Sequence, residues 1–153
     1  MFARYFVELR MPFDTVRAAL TRAPAEWMPG LAREADDAGR ALLTEVGFGS
    51  PERIGRTVAI RFGEPITIPS KTILPLHWED HRAGGLFPSL DADLEAAPIG
   101  PARTQLAISA RYRPPLGALG RMIDRAVLHR VAEATLKDFV DRIAEALRAG
   151  VAA

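Results

Sequence analysis

The 153-residue chain has no cysteine, so disulfides, thiolate nucleophiles and cysteine-ligated metal centres are excluded. It also lacks an excess of charge of either sign: 20 basic residues against 19 acidic ones leave a formal charge of +1. That balance gives neither the basic footprint of a nucleic-acid binder nor a strong field toward an anionic membrane, and neither partner is expected. Lysine is almost missing. Only Lys71 and Lys137 are lysines, and the other eighteen of the 20 basic residues are arginine, beside many alanines. Such a bias matches a genome rich in G and C better than a device for bidentate anion recognition. No run approaches the roughly eighteen apolar residues of a membrane span, and Arg4 and Glu8 interrupt what would be the apolar core of a signal peptide. Neither integral membrane association nor secretion is expected, and the chain is read as cytoplasmic.

What is present is the composition of an ordinary globular domain, 48% hydrophobic and 25% charged, taken as one unit over residues 1–153. Residues 4–10 read as a strand that ends before Pro12. Phe13, Val16, Ala19 and Leu20 then recur at helical spacing, with Pro24 as a stop, and a second short helix is expected around Ala25–Met28. The charge-rich run 31–40, with no large apolar residue after Leu31, reads as solvated surface.

From Ala41 to Tyr112 short apolar runs alternate with Gly and Pro, which predicts strands at 41–48, 56–63, 71–79, 89–97 and 103–112. Every connection between them is too short for a crossover helix, so the sheet is expected to be an antiparallel meander. Leu90, Ala92, Leu94 and Ala96 alternate with Asp91, Asp93 and Glu95, and Leu106, Ile108, Ala110 and Tyr112 with Gln105, Ser109 and Arg111, giving one dry face and one wet face. Pro75 costs a ladder hydrogen bond, which places its strand at an edge or at a bulge.

After Pro114-Pro115 a helix is expected over 116–148, with favourable pairs Glu133–Lys137 and Asp138–Arg142. Its apolar stripe does not run straight. Leu119, Met122, Ile123, Ala126 and Val127 share one face, while Ala132, Leu136, Phe139, Ile143 and Leu147 share another, rotated by well over about 90° on a continuous helix. Either the helix bends or restarts near His129–Ala132, or its two halves face different things.

The runs Leu86-Phe87-Pro88-Ser89-Leu90-Asp91, Thr104-Gln105-Leu106, Tyr112-Arg113-Pro114-Pro115-Leu116-Gly117-Ala118-Leu119-Gly120-Arg121-Met122-Ile123-Asp124-Arg125 and His129-Arg130-Val131-Ala132-Glu133-Ala134-Thr135 resemble the START-like, or SRPBCC, superfamily. The resemblance is best over residues 86–147 and fades toward the N-terminus. It implies an α+β helix-grip fold: a curved antiparallel sheet of about six or seven strands wrapped around a long C-terminal helix, with one or two short N-terminal helices. It further implies an internal cavity for a hydrophobic small molecule such as a lipid or polyketide, bound or transported without catalysis. Two alternatives remain: an enzyme of the polyketide cyclase or dehydrase type, and a protein-interaction module whose cavity is filled. Trp78, Leu106, Ile108, Tyr112, Leu119, Met122 and Ile123 are expected to line the cavity; the competing reading is that they fill the interior to ordinary density.

The polar candidates are weaker. His77, Glu79 and His81 would share one side of a continuing strand and could hold zinc. The following Arg82-Ala83-Gly84-Gly85 instead predicts a polar hairpin tip, so neither a metal nor any other cofactor is assigned. His129 lies near the apolar face of the last helix, with no serine or carboxylate at a triad spacing, and reads as a core or boundary group. Arg113 and Arg121, near the expected cavity mouth, are the candidates for a carboxylate-binding arginine. No catalytic residue is assigned. The open sheet edge could pair two copies, against which Pro65, Pro69 and Pro75 act, and the oligomeric state is not legible.

Overall fold

A computed structural model describes residues 2–45, 58–80, 89–113 and 124–150. Strand β1 (Phe2–Leu9) leads into helices α1 (Phe13–Thr21) and α2 (Pro24–Glu45). Strands β2 (Val58–Phe62), β3 (Ile66–Ile68), β4 (Lys71–Asp80), β5 (Ser89–Gly100) and β6 (Arg103–Arg113) follow, and helix α3 (Arg125–Arg148) closes the order. The sheet is open and antiparallel, ordered β1-β6-β5-β4-β2, with β3 also on β4. Helices α2 and α3 pack against each other; α3 also packs on β1 and β6, and α2 on β2. This is the helix-grip arrangement.

Register explains why the sheet has a dry and a wet side. Ile60, Trp78, Leu90 and Tyr112 form one inward cross-strand row, and Leu74, Leu94 and Ile108 another. Between them lies a row in which Ala92, Ala110 and Ala3 are small. Phe139 of α3 meets Trp78 edge-on, ring centroids 5.3 Å apart at 79°. Burying each such large apolar side chain stabilises the fold by about 1.5–3 kcal/mol. Asp91, Asp93 and Glu95 face outward, as the alternation requires.

Pro75 sits in an interior strand, so the expectation of an edge position is corrected. The irregularity it demands is present one strand over. β2 pairs with Leu76–Asp80 and β3 with Lys71–Ile73, and the ladder on that side breaks at Pro75. Its carbonyl accepts from Gly63 N–H at 2.8 Å, so the donor it lacks would have pointed into the same gap and not toward β5.

Two helical expectations change. α2 has 22 residues and includes 31–45, which were read as surface and then strand. Ala32, Ala35, Asp36 and Gly39 recur at helical spacing and are buried; their small side chains let α2 lie close to α3 without large apolar residues. Ala, Leu and Glu then carry the helix through Glu45. Pro24, expected to stop α1, opens α2, where its missing N–H costs nothing.

α3 begins only at Arg125. Asp124 is extended (φ −59°, ψ 134°) and caps the helix, its carboxylate accepting from Ala126 N–H at 2.9 Å. Within α3 one stripe runs unbroken from Leu128 through Val131, Thr135, Leu136, Phe139, Val140 and Ile143 to Leu147. The rotated stripe therefore reflects a boundary at Asp124, not a bend near His129–Ala132. Asp138–Arg142 pairs as expected, whereas Lys137 turns to Asp141 at 2.7 Å and leaves Glu133 to another partner.

Candidate functional site

Trp78, Leu106, Ile108 and Tyr112 all lie on the inner face, and each is at most 1% exposed. Leu119, Met122, Ile123 and Arg121 fall outside the described residues, as does His81. At the end of the sheet marked by Val58, Asp80, Ser89 and Arg113, Tyr112 projects inward from β6 toward the first turns of α3. There it meets His129. The two rings stack with centroids 5.8 Å apart at 29°, and the phenol oxygen is hydrogen-bonded to Nδ1. The far nitrogen, Nε2, lies 3.1 Å from Glu133 Oε1, one helical turn on.

The result is a Tyr112–His129–Glu133 chain running from the buried interior to the surface. Tyr112 is buried, whereas the side chains of His129 and Glu133 are 39% and 54% exposed. Burial, and then the negative charge of Glu133, push the Tyr112 phenol above its usual range and keep it protonated. The partners define what this chain can do. Nδ1 either accepts the phenol hydrogen or, carrying its own hydrogen, donates to the phenol oxygen. In the second arrangement the phenol O–H is free to donate elsewhere.

Sequence reasoning missed this constellation, although His129 does sit at the boundary between core and surface. The i,i+4 spacing of His129 and Glu133 was visible in the sequence. It was masked by assigning Glu133 to Lys137. The pairing of Tyr112 with His129, from a strand and a helix, had no local signal.

The other polar candidates lie on the outer face. The strand alternation runs through His77–Glu79: Trp78 is buried between an outward His77 and an outward Glu79. His77 Nδ1 is 2.6 Å from Asp91 Oδ1, directly across on β5, and Nε2 is 3.6 Å from Glu79. The segment is thus a ladder strand, not a hairpin tip. No group of three metal-ligating side chains occurs among the described residues. Arg113, a candidate carboxylate-binding group, points outward to Asp91 at 3.4 Å. A groove of about 600 Å³ crosses this face, lined by Arg61, His77, Asp91, Arg111 and Phe2 in one row and by Pro75, Asp93 and Ser109 in the next. Its mixed charges select no class of ligand. No helix among the described residues is long and apolar enough to cross a membrane.

No protein-family model and no curated protein matches the sequence. Solved structures do match the fold. A conserved protein from Geobacillus kaustophilus superposes with a TM-score of 0.55 at 16% identity, over 98% of this chain and 97% of that one. An HSP90 activator from Plasmodium falciparum gives 0.52 at 16% identity, over 97% and 96%. At such identities the likeness concerns architecture alone. Together with the strand order and the terminal helix laid across the inner face, it establishes that the chain has the START-like helix-grip fold.

Proposed function

We propose that the protein holds a hydrophobic small molecule between the inner face of the sheet and α3, at the end marked by Tyr112. A lipid, a polyketide or a similar metabolite fits this reading, with Trp78, Leu106, Ile108, Tyr112, Leu119, Met122 and Ile123 as the lining. The observation that carries it is the Tyr112–His129–Glu133 chain: a hydrogen-bonded polar group set into an otherwise apolar wall. Binding sites for small molecules are built in this way, from mostly apolar surfaces with a few placed polar groups. The phenol would orient the ligand by one hydrogen bond while the apolar wall supplied affinity.

Native mass spectrometry of protein purified gently from its own cells tests the reading, with identification of whatever is released on denaturation. The expected outcome is a stoichiometric apolar molecule bearing a hydroxyl or carbonyl group, and reduced retention in Tyr112→Phe. A clean apo mass, together with no change in Trp78 fluorescence on titration with long-chain fatty acid or aromatic polyketide, would overturn it.

The same chain also favours a second reading, an enzyme of the cyclase or dehydrase type. A phenol held protonated, its oxygen accepting from His129 Nδ1–H, can donate to a carbonyl oxygen and stabilise the charge that develops when a neighbouring C–H proton is removed. On this reading Tyr112→Phe abolishes turnover of a poly-keto substrate while leaving its binding nearly unchanged. On the carrier reading no turnover exists to abolish.

A further inference from the structure

We propose that two copies of this chain join edge to edge through β1, antiparallel, with Phe6 opposite the partner's Phe6 and Arg4 opposite the partner's Glu8. The two edges of the sheet are built differently. On the β2/β3 side the edge is broken into short pieces, with Pro65 and Pro69 flanking β3 and Pro75 at the break, features that discourage strand addition. β1 has no such protection. It is eight residues long, uninterrupted and free of proline, and among the described residues it pairs only with β6.

Its outer face carries side chains with little to do in a single copy. Phe2 and Phe6 are 58% and 54% exposed, two of the five large apolar residues left in solvent among the described residues. Arg4 and Glu8, also exposed, stand opposite Ser109 and Gln105 on β6, and neither makes an ion pair among the described residues. On the inner face the Tyr5 hydroxyl donates to Asp141 at 2.8 Å, and Lys137 lies 5.4 Å from the Tyr5 ring. These contacts tie the edge strand to α3 and hold it ready to pair.

The sequence Phe2-Ala3-Arg4-Tyr5-Phe6-Val7-Glu8 selects one register. Two-fold symmetry centred on Phe6 stacks the two Phe6 rings and sets Arg4 against the partner's Glu8 on both sides of them. Centring one residue earlier, on Tyr5, puts Arg4 against Phe6 and leaves both charges unpaired. Centring one residue later, on Val7, opposes Arg4 to Arg10, a like-charge clash. The Phe6 register also sets Tyr5 against Val7 on the inner side, both half-buried. Strand addition satisfies the backbone groups of the free edge and removes the exposed phenylalanines from water.

Sedimentation equilibrium on the full chain tests the proposal through charge reversal. The wild type is expected to dimerise, and Arg4→Glu and Glu8→Arg should each weaken the dimer at least about tenfold, because each opposes like charges at two symmetry-related places. The double variant, which restores opposite charges, should recover the wild-type constant to within about threefold. Circular dichroism is expected to be unchanged throughout, since neither residue has an ion pair to lose in the monomer. A wild type that stays monomeric up to about 100 µM would overturn the proposal and leave the Phe2–Phe6 face to a different partner. A dimer indifferent to the single reversals, or not recovered by the double, would overturn it equally.

Discussion

Tyr112 and His129 are coupled twice, by a ring stack and by a hydrogen bond between the phenol and Nδ1, and Glu133 lies on the far side of the imidazole. A strand and a helix far apart in sequence thereby share one polar element at the rim of the apolar interior. Tyr112→Phe removes the hydroxyl but keeps the ring and its packing. Because the imidazole is partly exposed and can bond water instead, the cost should fall at the low end for a buried hydrogen bond, about 1 kcal/mol in urea denaturation.

Both tyrosines of the chain have phenols raised above the ordinary 10.0, Tyr112 by burial and the Glu133 charge, Tyr5 by burial and its hydrogen bond to Asp141. A raised folded-state pKa contributes stability that is fully present below 10.0 and is lost as pH climbs toward the folded value. Tyrosinate absorbance should show neither residue half-ionised at pH 10.0 in the folded chain, and both half-ionised there in denaturant. The alkaline loss of stability should be shallower in Tyr112→Phe.

On the outer face, the His77 imidazole 2.6 Å away holds the Asp91 carboxyl below its ordinary 3.8, with Arg113 adding a weaker pull. A depressed pKa contributes stability present above 3.8 and lost as pH falls through the lowered value. The Asp91 side chain is 55% exposed, so solvent screening limits the effect. Asp91→Asn should cost less than about 1 kcal/mol at neutral pH, and the difference should shrink in high salt and vanish in strong acid.

Ala23 joins α1 to α2 in the left-handed region, at φ 48°. That conformation costs a residue with a Cβ about 1–2 kcal/mol, whereas glycine gives back about 0.4–1 kcal/mol through the unfolded chain. The side chain is exposed and loses no packing. Ala23→Gly should therefore stabilise the protein by about 0.5 kcal/mol, read as a rise in the urea midpoint.

The legible parts of this molecule were those whose signal is local. Alternation in 89–97 and 103–112 located β5 and β6 with the correct inner faces, and the resemblance over 86–147 led to the START-like fold. α2 was not legible past Met28 because its buried stripe continues as Ala32, Ala35, Asp36 and Gly39, small or polar residue types that give little apolar signal. The start of α3 was obscured for the opposite reason: apolar residues on both sides of Asp124 gave a continuous helical pattern across an N-cap. Half of the polar chain was present as the His129–Glu133 spacing. Its other half depended on register, since only the antiparallel pairing of β5 with β6 fixes which end of the sheet Tyr112 occupies.

Gly63 tests the place beside Pro75 where the β2/β3 edge is interrupted. Its N–H reaches the Pro75 carbonyl at 2.8 Å, and a Cβ added to Gly63 would stand 3.1 Å from Pro75 Cβ. Replacing glycine by alanine ordinarily stabilises by about 0.4–1 kcal/mol where the backbone permits it. Here the neighbour is a closed ring on a strand paired to β5, with no rotamer to escape into, and overpacking against such a group costs about 1–3 kcal/mol. The steric cost should win. Gly63→Ala is expected to destabilise by about 1 kcal/mol, and Gly63→Ala combined with Pro75→Gly, which removes the Cβ it would meet, should cost less than the sum of the two single changes, the non-additivity marking direct contact.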